Sequence, residues 1–188
     1  SGSKTLEEVI TVGPGGVELI CGASGIEDVA NLTQFHMQRL LDDLDKLQAS
    51  SDMIIIDTGA GINSSIVSFC MASDEVLVVT TPEPAAMTDA YAMIKVLSLR
   101  GYEGKINLAV NMASSITEGK QVHRQLADVA MRFLKMPVYE AGILCKSDHL
   151  LNSIRQRKPV VLNYPKSKIT SSIVSMASRL GKTSPNKQ

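Results

Sequence analysis

The chain has 188 residues, 44% of them hydrophobic and 20% charged, a length and composition suited to one soluble globular domain with a buried core. No apolar run approaches the ~20 residues needed to cross a bilayer, and no secretory leader opens the sequence. The formal net charge is zero, so charge alone selects no partner for the whole chain.

The three cysteines, Cys21, Cys70 and Cys145, are far apart and form no C-x-x-C. This argues against a disulfide scaffold or a zinc finger and for a cytoplasmic location. There is no Trp, and only four Tyr and three Phe. Stacking platforms for single-stranded nucleic acid are therefore excluded, and no sequence-specific nucleic-acid binding is expected.

In chain order, short β-branched runs alternate with helical patterns. Val17-Glu18-Leu19-Ile20 reads as a strand after the turn Gly13-Pro14-Gly15-Gly16. Residues 31–48 place Met37, Leu40, Leu41, Leu44 and Leu47 on one helical stripe. Met53-Ile54-Ile55-Ile56-Asp57, Val76-Leu77-Val78-Val79-Thr80 and Ile106-Asn107-Leu108-Ala109-Val110 are almost continuously apolar. They read as strands buried on both faces, the first of them central in its sheet. Helices are predicted near Asn63, over 84–99 with Pro84 in the first turn, over 118–135 and over 167–180. Pro137-Val138-Tyr139 is a weaker strand. The fold class is α/β: a mostly parallel sheet flanked by helices in one domain over 1–188, with 181–188 a flexible basic tail.

The charge is unevenly placed. Nineteen acidic and eleven basic residues precede His149. From His149 onward there is no Asp or Glu, but there are Arg155, Arg157, Lys158, Lys166, Lys168, Arg179, Lys182 and Lys187. Either this basic end meets an anionic partner or it is a solvated face balancing the rest. Likewise, helix 167–180 either packs on the sheet or lies in a membrane interface; core packing is the expectation.

Ligands of open parallel sheets bind beyond the carboxyl ends of the strands. Asp57 ends one predicted strand and enters the turn Thr58-Gly59-Ala60-Gly61. There its carboxylate can hold magnesium, directly or through water, and Gly61 lets backbone N–H approach a phosphate. Alternatively, Asp57 caps the following helix. Thr81 and Asn111 end the next two strands, and an Asn amide can read an adenine edge with both a donor and an acceptor. The predicted arrangement puts Asp57, Thr81, Asn111 and the 142–147 segment on one rim. His36, His123 and His149 follow no strand and pair with no visible nucleophile, and no G-x-S-x-G occurs, so hydrolase triad chemistry is excluded. His123 reads as a surface or satisfied core histidine.

Asp57-Thr58-Gly59-Ala60-Gly61-Ile62, the stretch from Thr81-Pro82-Glu83-Pro84 through Thr88-Asp89-Ala90-Tyr91-Ala92, and Asn111-Met112-Ala113 resemble the MinD/ParA-type P-loop ATPases. Within them the chain is most similar to the flagellar-number regulators of the FlhG/FleN (YlxH) type, from Thr5 to about Leu180. The resemblance implies an ATPase that binds ATP with magnesium, dimerises around it and controls flagellar number and position. It implies as partners a second copy, the flagellar GTPase FlhF, switch-complex proteins or a flagellar transcription regulator, and an anionic inner-membrane surface. It assigns Asp57 and Gly61 to the magnesium and switch II region, and Asn111, Cys145 and Ser147 to the nucleotide base.

The departures from the family pattern are specific. No G-x-x-x-x-G-K-[ST] occurs in the 188 residues; the glycine clusters at 13–16 and 22–25 lack the Lys-Ser/Thr. Measured against the family, the chain starts after the phosphate loop and its strand. Cys145 and Ser147 stand where the family usually has Pro and Asp, which alters base binding. Two readings follow: the ATPase core of a flagellar regulator, or a non-catalytic partner-binding module of the same descent. Either way, ATP binding by this chain is expected to be weak or absent.

Overall fold

The structure, a computed structural model, describes residues 7–21 and 34–181. The chain divides into two compact units, Ser1–Ala72 and Ser73–Gln188. The second glycine cluster, the start of the 31–48 helix and most of the basic tail lie outside the described residues.

In the first unit, β1 (Ile10–Val12) and β2 (Glu18–Ile20) pair antiparallel, with Ile10 opposite Ile20. The turn at 13–16 joins them, and Gly15 and Gly16 take φ of 79° and 80°, where a side chain would be strained. The sequence marks the turn and the second strand but not the first, which is only three residues long. Helix α1 (Gln34–Gln48) buries or half-buries the predicted stripe from Met37 to Leu47. It packs against α2 (Ser64–Ala72), whose Ile66 and Val67 are buried. Asn63 caps α2: its Oδ1 accepts from the Ile66 N–H at 3.0 Å.

The predicted strand over 53–57 does not form. The segment pairs with no strand among the described residues, and Met53, Ile54 and Ile55 are exposed. A strand is defined by the ladder it joins, and no described segment offers these residues one.

The second unit holds a parallel sheet in the order β3-β4-β5: β3 (Glu75–Thr80), β4 (Lys105–Ala113) and β5 (Val138–Cys145). Helix α3 (Pro84–Leu99) is the crossover from β3 to β4, and α4 (Ile116–Leu134) the crossover from β4 to β5. Then come α5 (Asp148–Arg155), α6 (Val160–Asn163) and α7 (Lys168–Leu180). This is the predicted α/β architecture. Of the predicted doubly buried strands, β3 is covered on one face only. At β3, Val76, Val78 and Thr80 are buried while Leu77 and Val79 are exposed, because among the described residues only one face of β3 is covered. β5 runs six residues past the predicted Val138-Tyr139, and α5 and α6 have no counterpart in the sequence prediction.

Close approach sets the layers. Gly119 in α4 presses on the Ile143 side chain, and Gly142 in β5 faces Met176 of α7. Adjacent strand residues point to opposite faces, so α4 and α7 cover opposite faces of β5. Helix α7 therefore packs on the sheet, with Ile169 and Thr170 buried, as expected for a core helix. The buried Asn107 donates through Nδ2 to Glu75 Oε2 at 2.7 Å, which satisfies the one amide side chain buried in β4.

Candidate functional site

The parallel ladder brings the ends of β3, β4 and β5 to one edge of the second unit. Thr81 follows β3, and its Oγ1 accepts from the Glu83 N–H at 3.4 Å. Asn111 stands where the ladder slips: the register shifts between Val110 and Ala113, leaving Asn111 and Met112 outside it. Met112 adopts φ 56°, a left-handed conformation costly for its side chain. The Asn111 Oδ1 accepts from the Met112 N–H at 2.9 Å and so holds this bulge. Its Nδ2 makes no hydrogen bond among the described residues. Beyond the slip, Ala113 pairs with Cys145, and the Lys146 N–H donates to Ala113 O at 3.0 Å. Ser147 is the residue before α5 but its side chain makes no cap, and its hydroxyl has no partner among the described residues. Thus Asn111, Cys145 and Ser147, all half-buried, gather at one edge.

Asp57 and Gly61 belong to the first unit. Asp57 is exposed, and among the described residues nothing hydrogen-bonds its carboxylate. The alternative reading of it as a helix cap is removed, because Asn63 does that work. Gly61 has φ 108°, and a Cβ there would meet open space, so backbone conformation rather than crowding calls for glycine. Among the described residues, no three His, Cys, Asp or Glu side chains cluster to hold a metal.

Two features escaped the sequence reading. The Met112 bulge left no signal, since methionine has no preference for positive φ. The start of α4 did carry one. Ser115-x-x-Glu118 is a capping-box spacing, and the Ser115 Oγ accepts from the Glu118 N–H at 3.1 Å. Glu118 Oε2 in turn accepts from the Ser114 N–H at 2.6 Å and from its Oγ–H at 2.8 Å. These bonds, the backbone one first, hold the Glu118 carboxyl below the usual carboxylate range. His123 corrects its reading: its buried Nε2 has no hydrogen-bond partner among the described residues.

No family model matches the chain. Among solved structures, it superposes on the cell division ATPase MinD of Pyrococcus furiosus with a TM-score of 0.76 at 22% identity, over 97% of this chain and 73% of that one. The septum site-determining protein MinD of Pyrococcus horikoshii, complexed with Mg-ADP, gives 0.75 at 20% identity, over 95% and 70%. The fold is that of the MinD/ParA-type ATPases.

In sequence, the chain is 31% identical over 179 residues to the antiactivator FleN of Pseudomonas aeruginosa, covering 95% of this chain and 64% of FleN. It is 34% identical over 158 residues to the flagellum site-determining protein YlxH of Helicobacter pylori, covering 84% and 53%. The chain has the MinD/ParA-type fold and is homologous to FleN and YlxH, and it spans less than two thirds of the length of these relatives. Among the described residues, no helix is long and apolar enough to cross a membrane.

Proposed function

We propose that the chain is a MinD-like regulator of flagellar number and placement. The observation that carries this reading is the 31% identity to FleN across 95% of the chain. As a regulator of this type it works through a second copy of itself, through FlhF, switch-complex proteins or a flagellar transcription regulator, and at an anionic inner-membrane surface. Expression in a strain deleted for its FleN- or YlxH-type gene tests the reading. Restored flagellar number supports it, and an unchanged count with normal protein levels rejects it.

The ligand of such a protein is ATP with magnesium, which supplies a transferable phosphoryl group and the ion that neutralises its charge. The residues present fit that ligand in part. Asn111 Nδ2 can donate to a base edge, with the Cys145 and Ser147 side chains beside it at the same edge. Asp57 alone suits a magnesium ion that keeps most of its waters and arrives with the phosphates. The 188 residues contain no phosphate-loop motif to cradle those phosphates. Positioning and charge neutralisation are most of phosphoryl-transfer catalysis. These 188 residues by themselves are therefore not expected to turn over ATP. The expected outcome is no rise in melting temperature with millimolar Mg-ATP; a clear stabilisation would contradict it.

A further inference from the structure

The turn between β4 and α4 is held more firmly than a helix start requires. A capping-box Glu ordinarily takes the backbone N–H of the cap residue itself. Here the cap is Ser115, yet Glu118 Oε2 accepts from the Ser114 N–H at 2.6 Å and from the Ser114 hydroxyl at 2.8 Å. Ser114 stands outside the helix and follows Ala113, the last residue of β4. The carboxylate therefore clamps the turn, while the Ser115 Oγ, which accepts from the Glu118 N–H at 3.1 Å, caps the helix. The two tasks fall on different side chains and can be separated by substitution.

The clamped turn adjoins the edge assigned to the nucleotide base. Ala113 is fully buried, pairs with Cys145, and its carbonyl accepts from the Lys146 N–H at 3.0 Å. After the two Ser114 bonds, the Lys146 cation further favours the ionised Glu118, so the residue that follows β5 stands near the same carboxylate. On the other side of Ala113 is Met112, at φ 56°. A strained backbone of this kind persists only where its surroundings over-determine it. The Asn111 Oδ1, accepting from the Met112 N–H at 2.9 Å, joins two adjacent residues and moves with them. The Glu118 bonds instead tie the turn to α4, which is seated on β5 where Gly119 meets Ile143.

We propose that Glu118 is a positioning residue for the nucleotide base: by clamping Ser114 to α4 it holds Met112 left-handed and so fixes where the Asn111 amide stands. This rests on the nucleotide reading above and adds to it a residue that touches no nucleotide.

NMR of the chain tests the assignment, with the Met112 backbone amide and the Asn111 side-chain amide as reporters and AMP at high millimolar concentration as the probe. AMP carries base and ribose and makes no demand on a phosphate loop. In the parent, AMP should shift the Asn111 side-chain signals. In Glu118→Ala, the Met112 and Lys146 amides should exchange with solvent about tenfold faster, as the loss of a charged hydrogen bond predicts, and the AMP-induced shift should disappear. Glu118→Gln keeps an acceptor and should restore most of both. Ser115→Ala removes the helix cap but keeps the clamp, so both reporters should behave as in the parent. Either reporter unchanged in Glu118→Ala, or both disturbed equally by Ser115→Ala, overturns the positioning role and leaves the nucleotide reading standing. No AMP-induced shift at Asn111 in the parent overturns both.

Discussion

Residues 53–56, Met-Ile-Ile-Ile, and 76–79, Val-Leu-Val-Val, carry almost the same hydrophobic pattern. In the second unit, Val76 and Val78 are 8% and 7% exposed, and the run pairs in register with β4 from Glu75 to Thr80. In the first unit, Met53 is 49% and Ile55 82% exposed, and the run joins no ladder. The difference is not in local propensity. A β-branched run becomes a strand only when a non-local neighbour takes up its N–H and C=O groups, and β4 does this for β3. The two regions therefore differ in what burial can contribute to stability, and substitution is the sharpest way to measure that.

The largest effect is expected at the centre of the formed sheet. Leu108 is fully buried in β4, so Leu108→Ala should destabilise the protein by about 3 kcal/mol through lost burial and the cavity left behind. Ile55→Ala removes a side chain that is mostly in water and should stay within about 0.5 kcal/mol of the parent. Urea unfolding of both variants decides the matter. An equal cost at Ile55 would mean that the 53–57 run is buried in solution and the contrast between the units is false.

A smaller effect is expected where helix meets sheet. Helix propensity favours Ala over Gly inside α4, by roughly 1 kcal/mol. A Cβ on Gly119 would nevertheless collide with Ile143, so Gly119→Ala should lower stability by about 1–3 kcal/mol. Pairing it with Ile143→Val should recover part of the loss by making room. A stabilised single variant would show that α4 can lift from β5 at little cost and that the second unit is packed more loosely than described.

Much of the second unit is legible in the sequence. Pro84 fixed the start of α3, the stripe from Val122 to Leu134 marked α4, and the continuous run from Ile106 to Val110 announced a strand buried on both faces. What could not be read was non-local. No pattern distinguishes a strand with a neighbour from one without, so the sequence predicts a strand at 53–57 as readily as at 76–80. The extension of β5 to Cys145 passes through Gly142, a residue that weakens strand propensity, and is set by pairing with β4 and packing under α7. The candidate site divides in the same way. Asn111 is legible as a residue at a strand end, whereas Cys145 and Ser147 follow only from the family resemblance, because the predicted last strand stops at Tyr139 and the pairing of Ala113 with Cys145 is non-local. The left-handed Met112 that turns Asn111 inward on its own backbone is a product of register and has no trace in residue type.

The smallest effect separates two helix starts by their chemistry. In the first unit the cap of α2 is Asn63, a neutral amide that does not titrate. In the second, α4 begins with Ser115 and the Glu118 carboxylate, held below the usual carboxylate range by the bonds from Ser114. A carboxyl whose folded pKa is depressed contributes stability that is fully present above its unfolded pKa and is lost as pH falls through the folded value. Acid should therefore loosen the start of α4 and leave the start of α2 in place. Backbone amide shifts followed by NMR from neutral pH downward report both ends at once. The Ser114 amide, bonded to Glu118 Oε2, should move with an acidic midpoint, while the Ile66 amide, bonded to Asn63 Oδ1, should not follow it. Glu118→Gln keeps an acceptor at the same place but removes the charge, so the Ser114 transition should disappear. A Ser114 amide that still titrates in that variant would mean that another acid governs the α4 start. An Ile66 amide that titrates in parallel would mean that the two units respond to acid as one.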